Sequence, residues 1–274
     1  LDKLKNLNAI LTGASHGIGP YIARAMAAEG INLVLAARST GELEGLAGSL
    51  RDHIRVMVAT TDVNDPGDRL ELVQRTQSEL GKIDILINNA GLEEITPFAG
   101  QRPEMIENIV ATNVIAPILL ARAVLPPMLE RGSGRIVNVA SIAGRAGMPF
   151  GAVYSGSKGA LAEWSISLHA ELAGSGVSVS TVCPGFVSTS GMHARKGKAA
   201  PGTLGEVTPE AVAKAVIRAL HTGHPEILVS ARPMRVLMAL RALAPRAALG
   251  LARRTGMIDY LKALAGATDS ARPT

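Results

Sequence analysis

The chain has little cysteine and few aromatic side chains, and each shortage removes a class of function. Cys183 is the only cysteine among 274 residues, so an internal disulfide is impossible and a cysteine-built metal site is not expected. Aromatic residues make up 3%, too few for the stacking platforms that hold single-stranded nucleic acid. The six histidines (16, 53, 169, 193, 221 and 224) show no His-Glu-x-x-His or paired-ligand spacing, so no metal is expected. No run reaches the roughly 18 uninterrupted apolar residues of a membrane span, and no apolar export segment stands at the start. These absences point to a soluble protein in a reducing, cytoplasmic compartment.

Apolar residues reach 47% and glycines number 29, a composition suited to an aliphatic parallel sheet with tight turns. The net charge of +5 is uneven: from Leu228 onward there are eight basic residues and two acidic ones. The basic character therefore belongs to the C-terminal tail, and gives no ground for a nucleic-acid partner. Short apolar runs at 8–11, 32–36, 56–59, 83–87, 135–139, 177–182 and 226–229 read as strands. Helical patterns lie between them, notably at 21–29, 66–80, 103–130, 154–173 and 209–221, with Pro117 as an irregularity inside the third. Strict alternation predicts an α/β fold, a doubly wound, Rossmann-like domain on a parallel seven-stranded sheet over residues 1–230. Residues 231–274 read as a basic amphipathic extension of two or three short helices, broken at Pro245 and Gly256. Three roles are open to it: closing a substrate pocket, packing against another subunit, or peripheral contact with an anionic membrane.

The segment Thr12-Gly13-Ala14-Ser15-His16-Gly17-Ile18-Gly19 leaves the first strand and opens a helix at Pro20. Glycines allow a tight turn and close backbone approach, while a helix N-terminus offers N–H groups to a pyrophosphate. The end of the second strand is where an acidic residue would meet the ribose of NAD; Ala37-Arg38-Ser39 stands there. Arg38 can bind a 2′-phosphate through charge-assisted hydrogen bonds, so NADP(H) is expected over NAD(H), with His16 as a second contact. Tyr154 and Lys158 lie four residues apart on one helical face. A free phenol with a pKa near 10 is a poor acid–base catalyst at neutral pH, and a neighbouring ammonium is expected to lower it. Ser141, at the end of the fifth strand, is placed to hold the oxygen on which charge develops.

In this order the motifs resemble the short-chain dehydrogenase/reductase family over roughly residues 5–230. The likeness rests on Thr-Gly-x-x-x-Gly-x-Gly at 12–19, Asn88-Asn89-Ala90-Gly91, Asn113, Ser141, Tyr-x-x-x-Lys at 154–158 and Pro184-Gly185. The resemblance implies that Tyr154 exchanges a proton with the substrate oxygen and that Ser141 orients that oxygen. It implies that Lys158 lowers the Tyr154 pKa and holds the nicotinamide ribose, and that Asn113 holds a water linking Lys158 to solvent. Asp62 and Val63 would meet the adenine; Asn89, Ala90 and Gly91 the middle of the cofactor; Pro184, Gly185, Val187 and Thr189 its nicotinamide end. A homodimer or homotetramer is also implied.

Family membership would leave the substrate open. Residues 186–206, with Met192, His193, Arg195, Lys196 and Lys198, would cover it. Leu92, Ile95, Ala143, Met148, Pro149, Phe150, Ala152 and Val153 suggest an apolar pocket without an acidic or amide cluster, suited to a lipophilic ketone, alcohol or acyl chain. Hydrolase chemistry finds no support, because Ser141 lacks a Gly-x-Ser-x-Gly elbow. The alternative is a non-catalytic NADP-binding sensor or scaffold; a degenerate tetrad would favour it, and all four polar positions are present.

Overall fold

In a computed structural model, which describes residues 4–189, 200–202 and 205–269, seven parallel strands form one sheet. They are β1 (Asn8–Thr12), β2 (Asn32–Ala37), β3 (Val56–Thr60), β4 (Ile85–Asn88), β5 (Gly134–Val139), β6 (Val177–Pro184) and β7 (Glu226–Val229). Their order across the sheet is β3-β2-β1-β4-β5-β6-β7. The reversal between β1 and β4 opens a crevice at the carboxyl ends of these strands, where ligands of doubly wound sheets bind. β1 and β4 are buried at every position, as expected of strands covered on both faces.

Helices α1 (Gly19–Ala28), α2 (Thr40–Gly48), α3 (Pro66–Leu80), α4 (Pro103–Val110), α5 (Ala116–Glu130), α6 (Ala143–Ala146), α7 (Ala152–Glu171) and α8 (Pro209–Thr222) connect the strands. Local chemistry sets several of their ends. Asp65 accepts the Asp68 N–H ahead of Pro66, and Thr208 accepts the Ala211 N–H ahead of Pro209, so each helix begins with a capped N–H and a proline that needs none. Gly223, in the left-handed region at φ 62°, ends α8. One apolar core joins Ile22, Met26, Leu43, Val212 and Val216 to one sheet face. The other joins Leu72, Leu120, Val124 and Leu172 to the opposite face.

The helix expected over 103–130 is divided. A π-helical turn, Ala111–Ile115, separates α4 from α5, and Pro117 explains it. Proline has no N–H for the Asn113 carbonyl four residues earlier, and its ring crowds that carbonyl. The irregularity thus lies one turn ahead of the proline, at Asn113. Within Pro103–Glu130 an 18-residue window has a mean hydropathy of 1.8, long and apolar enough by composition to cross a membrane. In the fold, its Ile109, Ala116, Leu120, Val124 and Met128 are buried.

After β7 the chain forms α9 (Met234–Leu243), α10 (Pro245–Arg254) and α11 (Met257–Asp269). Pro245 opens the second, and Gly256 at φ 73° turns the chain into the third, so the breaks fall where the sequence placed them.

Candidate active site

The glycine end of the crevice is set by backbone approach. Gly13 has φ 65°, and a Cβ there would lie 2.8 Å from Ala90 Cα and N; only glycine fits. Gly19 is equally constrained, since its Cβ would lie 2.2 Å from the Gly13 carbonyl oxygen. The Thr12 hydroxyl accepts from the Asn89 and Ala90 N–H groups at 3.0 and 3.2 Å. Asn89 Nδ2 returns bonds to the Thr12 and Gly13 carbonyls, both at 3.0 Å. The glycine turn is thereby tied to the end of β4. Helix α1 has no side-chain N-cap and no acidic residue in its first turn, leaving its positive end open to an anion. Ser15 Oγ and His16 Nδ1, 2.8 Å apart, lie beside it.

A cavity of about 1000 Å³ runs from this turn to the helix carrying Tyr154. One wall is Ala37-Arg38-Ser39 at the end of β2 and Thr61–Asn64 after β3. Arg38 is exposed there. Asp62 accepts the Asn64 N–H at 2.9 Å, and Asn64 Nδ2 donates to Thr112 at 2.9 Å, so this wall is anchored to the π-helical turn. A glycine cradle, an uncapped helix N-terminus and a guanidinium along one crevice fit a dinucleotide.

At the other end, Tyr154 and Lys158 are buried on α7. Lys158 Nζ donates to the Val139 carbonyl at 2.8 Å. Ser141 Oγ accepts the Ala143 N–H at 3.1 Å and donates to the Pro184 carbonyl at 3.3 Å, and it lies close enough to the Tyr154 phenol to act on its protonation. Behind Lys158, α6 meets α7 backbone to backbone: a Cβ on Gly144 would lie 2.5 Å from Gly159 N and Lys158 C.

The electrostatics correct one expectation. In the protein alone the Tyr154 phenol is held above its ordinary value, first by burial and then by the negative charge of Glu93; the Ser141 hydroxyl acts the other way. Burial lowers Lys158 to about 8, against smaller opposing effects from Cys183 and Glu93. The ammonium is directed at the Val139 carbonyl, and desolvation of the phenol outweighs its neighbourhood.

Of the residues expected at the site, Gly13, Ser15, His16, Gly17, Ile18, Arg38, Asp62, Val63, Asn89, Ala90, Gly91, Ser141, Tyr154, Lys158, Pro184, Gly185 and Val187 line the cavity. Gly19, Asn113 and Thr189 do not. Gly19 serves the turn itself, packing against the Gly13 carbonyl as above. Asn113 is fully buried and brackets Leu92: its Oδ1 accepts the Leu92 N–H and its Nδ2 donates to the Leu92 carbonyl, both at 2.8 Å. It also donates to Ser157 at 2.9 Å, so its side chain acts by holding a loop. Thr189 is exposed, bonded to the Ser188 carbonyl.

Leu92, Ala143, Met148, Pro149 and Ala152 face the cavity as expected; Ile95, Phe150 and Val153 lie off it. Met192, His193, Arg195, Lys196 and Lys198 fall outside the described residues. One acidic residue that the sequence reading did not single out, Glu93, lies on the cavity wall near the Tyr154 phenol. Its position two residues past Gly91 was the available signal. Residues of α9 to α11 also line the cavity, which composition had left among three roles.

A parallel sheet with a dinucleotide cradle at its crossover and a buried Ser-Tyr-Lys group beside it defines an oxidoreductase of the doubly wound type. The short chain dehydrogenase family model matches residues 7–200, and the chain belongs to the short-chain dehydrogenase/reductase family. It is similar to the ketoacyl reductase HetN of Nostoc sp., 39% identical over 95% of this chain and 93% of that protein. It is 31% identical to a dehydrogenase/reductase SDR family protein 7-like of Drosophila melanogaster over 89% of this chain and 78% of that one. Among solved structures, an actinorhodin polyketide ketoreductase variant with NADPH superposes with a TM-score of 0.76 at 29% identity, covering 82% of this chain and 95% of that one.

Proposed function

We propose that the protein is an NADP(H)-dependent reductase of a lipophilic or acyl-type carbonyl compound, working through Ser141, Tyr154 and Lys158. The observation that carries this reading is the meeting of Ser141 and the buried Tyr154 phenol in the same cavity as Arg38 and the glycine turn. The ketoacyl reductase and NADPH-bound ketoreductase relatives support its direction and cofactor.

When bound in this crevice, the nicotinamide would supply the hydride. Ser141 donates to the substrate carbonyl oxygen and so orients and polarises it. Tyr154, kept protonated by burial and by Glu93, gives its proton to that oxygen as charge develops there. A phenol held in its acid form suits reduction. Lys158, its ammonium fixed by Val139, is placed to hold ribose hydroxyls and to return a proton towards Tyr154. Asn113 is a positioning residue that holds Leu92 and, through it, the loop carrying Glu93. Arg38 takes the 2′-phosphate, with Ser15, His16, Gly17 and Ile18 around the pyrophosphate. Asp62 and Val63 flank the adenine, and Pro184, Gly185 and Val187 the nicotinamide. The active form is a homodimer or homotetramer, supported by exposed Val110, Ile115 and Leu119 at the end of α4, in the π-helical turn and on α5.

Steady-state kinetics with both cofactors tests the cofactor assignment. Charged hydrogen bonds contribute about 1.5–3 kcal/mol, so Arg38→Ala is expected to raise the KM for NADPH roughly ten- to a hundredfold and leave that for NADH within twofold. Equal change for both cofactors would remove Arg38 from the 2′-phosphate site.

A further inference from the structure

The family model ends at residue 200, but the cavity continues beyond it. Met234 and Leu237 from α9, Leu249 from α10, and Met257 and Ile258 from α11 all line it. Helix α11 reaches the chemical end directly: Leu261, Leu264 and Ala265 pack in one cluster with Ile95, Met148 and Tyr154. Two contacts fix this arrangement. The Tyr260 ring meets Phe186 edge-on, with centroids 6.0 Å apart and planes at 88°, and the Arg241 guanidinium donates to the Arg145 carbonyl of α6. Helix α9 thus has two faces, with Met234 and Leu237 towards the cavity and Val236 and Leu243 exposed.

We infer that α9, α10 and α11 form an apolar subsite leading away from Tyr154, which holds the alkyl chain of the substrate and selects long-chain aliphatic carbonyl compounds over short or polar ones. The inference rests on the reductase reading above and adds the substrate class to it. Three features carry it. The lining contributed by the tail is Met, Leu, Ile, Ala and Pro with one charged side chain, Arg241, and no carboxylate. A polar substrate would leave its hydroxyls or amides unpaired against such a wall, at a cost that excludes it. Unbranched methionines at two positions adapt to chains of varying shape. The subsite is continuous with the Tyr154 end of the cavity, so a carbonyl seated at Ser141 and Tyr154 leaves its chain pointing into these helices.

The test is calorimetric titration of 2-alkanones of graded length, about four to twelve carbons, into the full protein loaded with NADP+, with kcat/KM for the same series and NADPH. Each methylene that enters the subsite is worth up to about fourfold in affinity, so wild type is expected to tighten steadily with length. Leu237→Trp and Ile258→Trp are expected to weaken the longest ketone at least tenfold, while the shortest ketone and the NADPH Kd stay within twofold. Leu237→Ala, which removes apolar contact and adds no bulk, is expected to reduce the gain per methylene for the longer ketones while the shortest stays within twofold, and serves if a tryptophan variant does not fold. A flat length profile in wild type, or loss of short and long ketones alike in folded variants that bind NADPH, would overturn the subsite alone. NADPH binding with no reduction of any ketone, where ketone affinity still rises with length, would instead strike the reductase reading and leave the subsite standing.

Discussion

At the scale of single residues, the site combines a phenol pushed towards its acid form with an ammonium pushed towards its neutral one. Both shifts arise chiefly from burial. Glu93 adds to the first, so Glu93→Gln should lower the phenol pKa and move the alkaline limb of the reduction kcat/KM to lower pH. An unmoved limb would show that the carboxylate does not act on Tyr154. Lys158 makes a separate prediction for stability. Its folded value of about 8 lies below that of the unfolded chain, so between about pH 8 and the ordinary 10.5 the unfolded state binds more protons, and stability rises with pH. Tyr154 acts oppositely above about pH 10. From pH 8 to 10, urea unfolding should show wild type gaining stability relative to Lys158→Met; a constant difference would contradict the shift. Residue identity was the most legible level of the sequence, because Tyr154, Lys158 and Ser141 sit at fixed positions on a helix and a strand end. The direction of the Tyr154 shift was not legible, since it depends on desolvation and on Glu93, a residue 61 positions away in the chain that only the fold brings near.

At the scale of elements, strands and most helices could be read because parallel strands buried on both faces are continuous apolar runs, and glycine or proline marks their ends. Two features escaped. Helix α6, four residues long, has too short a pattern to show periodicity. The π-helical turn at Ala111–Ile115 is a backbone response to Pro117, and the sequence located the proline without the turn ahead of it. Both features bear on the site: α6 follows Ser141, and the turn presents Asn113. The α6–α7 contact makes the element-level prediction. Gly144→Ala places a methyl 2.5 Å from Gly159 N, backbone that cannot swing aside, so the two helices must separate. The expected cost is about 1–3 kcal/mol, read by denaturant unfolding, together with a reduced kcat from displacement of Lys158. Unchanged stability and kcat would mean that α6 is not seated against Lys158 in solution.

At the scale of the whole molecule, the tail was the least legible part, and the proposed subunit interface lies beyond what a single chain displays. An amphipathic helix exposes the same pattern whether it covers a cavity, another subunit or a membrane, and only packing chooses between them. Here α11 packs on Tyr154, while Val110 at the end of α4, Ile115 in the π-helical turn and Leu119 on α5 are exposed. For the proposed oligomer, Leu119→Arg should lower the sedimentation coefficient in sedimentation velocity without altering NADPH binding; a wild-type chain that sediments as a monomer, or an unchanged coefficient in the variant, would contradict an interface on this face. The central claim joins fold, cofactor and tetrad in one reaction, and its most direct test is NADPH oxidation over a graded series of aliphatic ketones, aldehydes and acyl thioesters by wild type and Tyr154→Phe. The account predicts turnover by wild type and a loss of about 10²–10⁴-fold in the variant, with NADPH bound equally by both. Turnover that survives the loss of the phenol hydroxyl would contradict it.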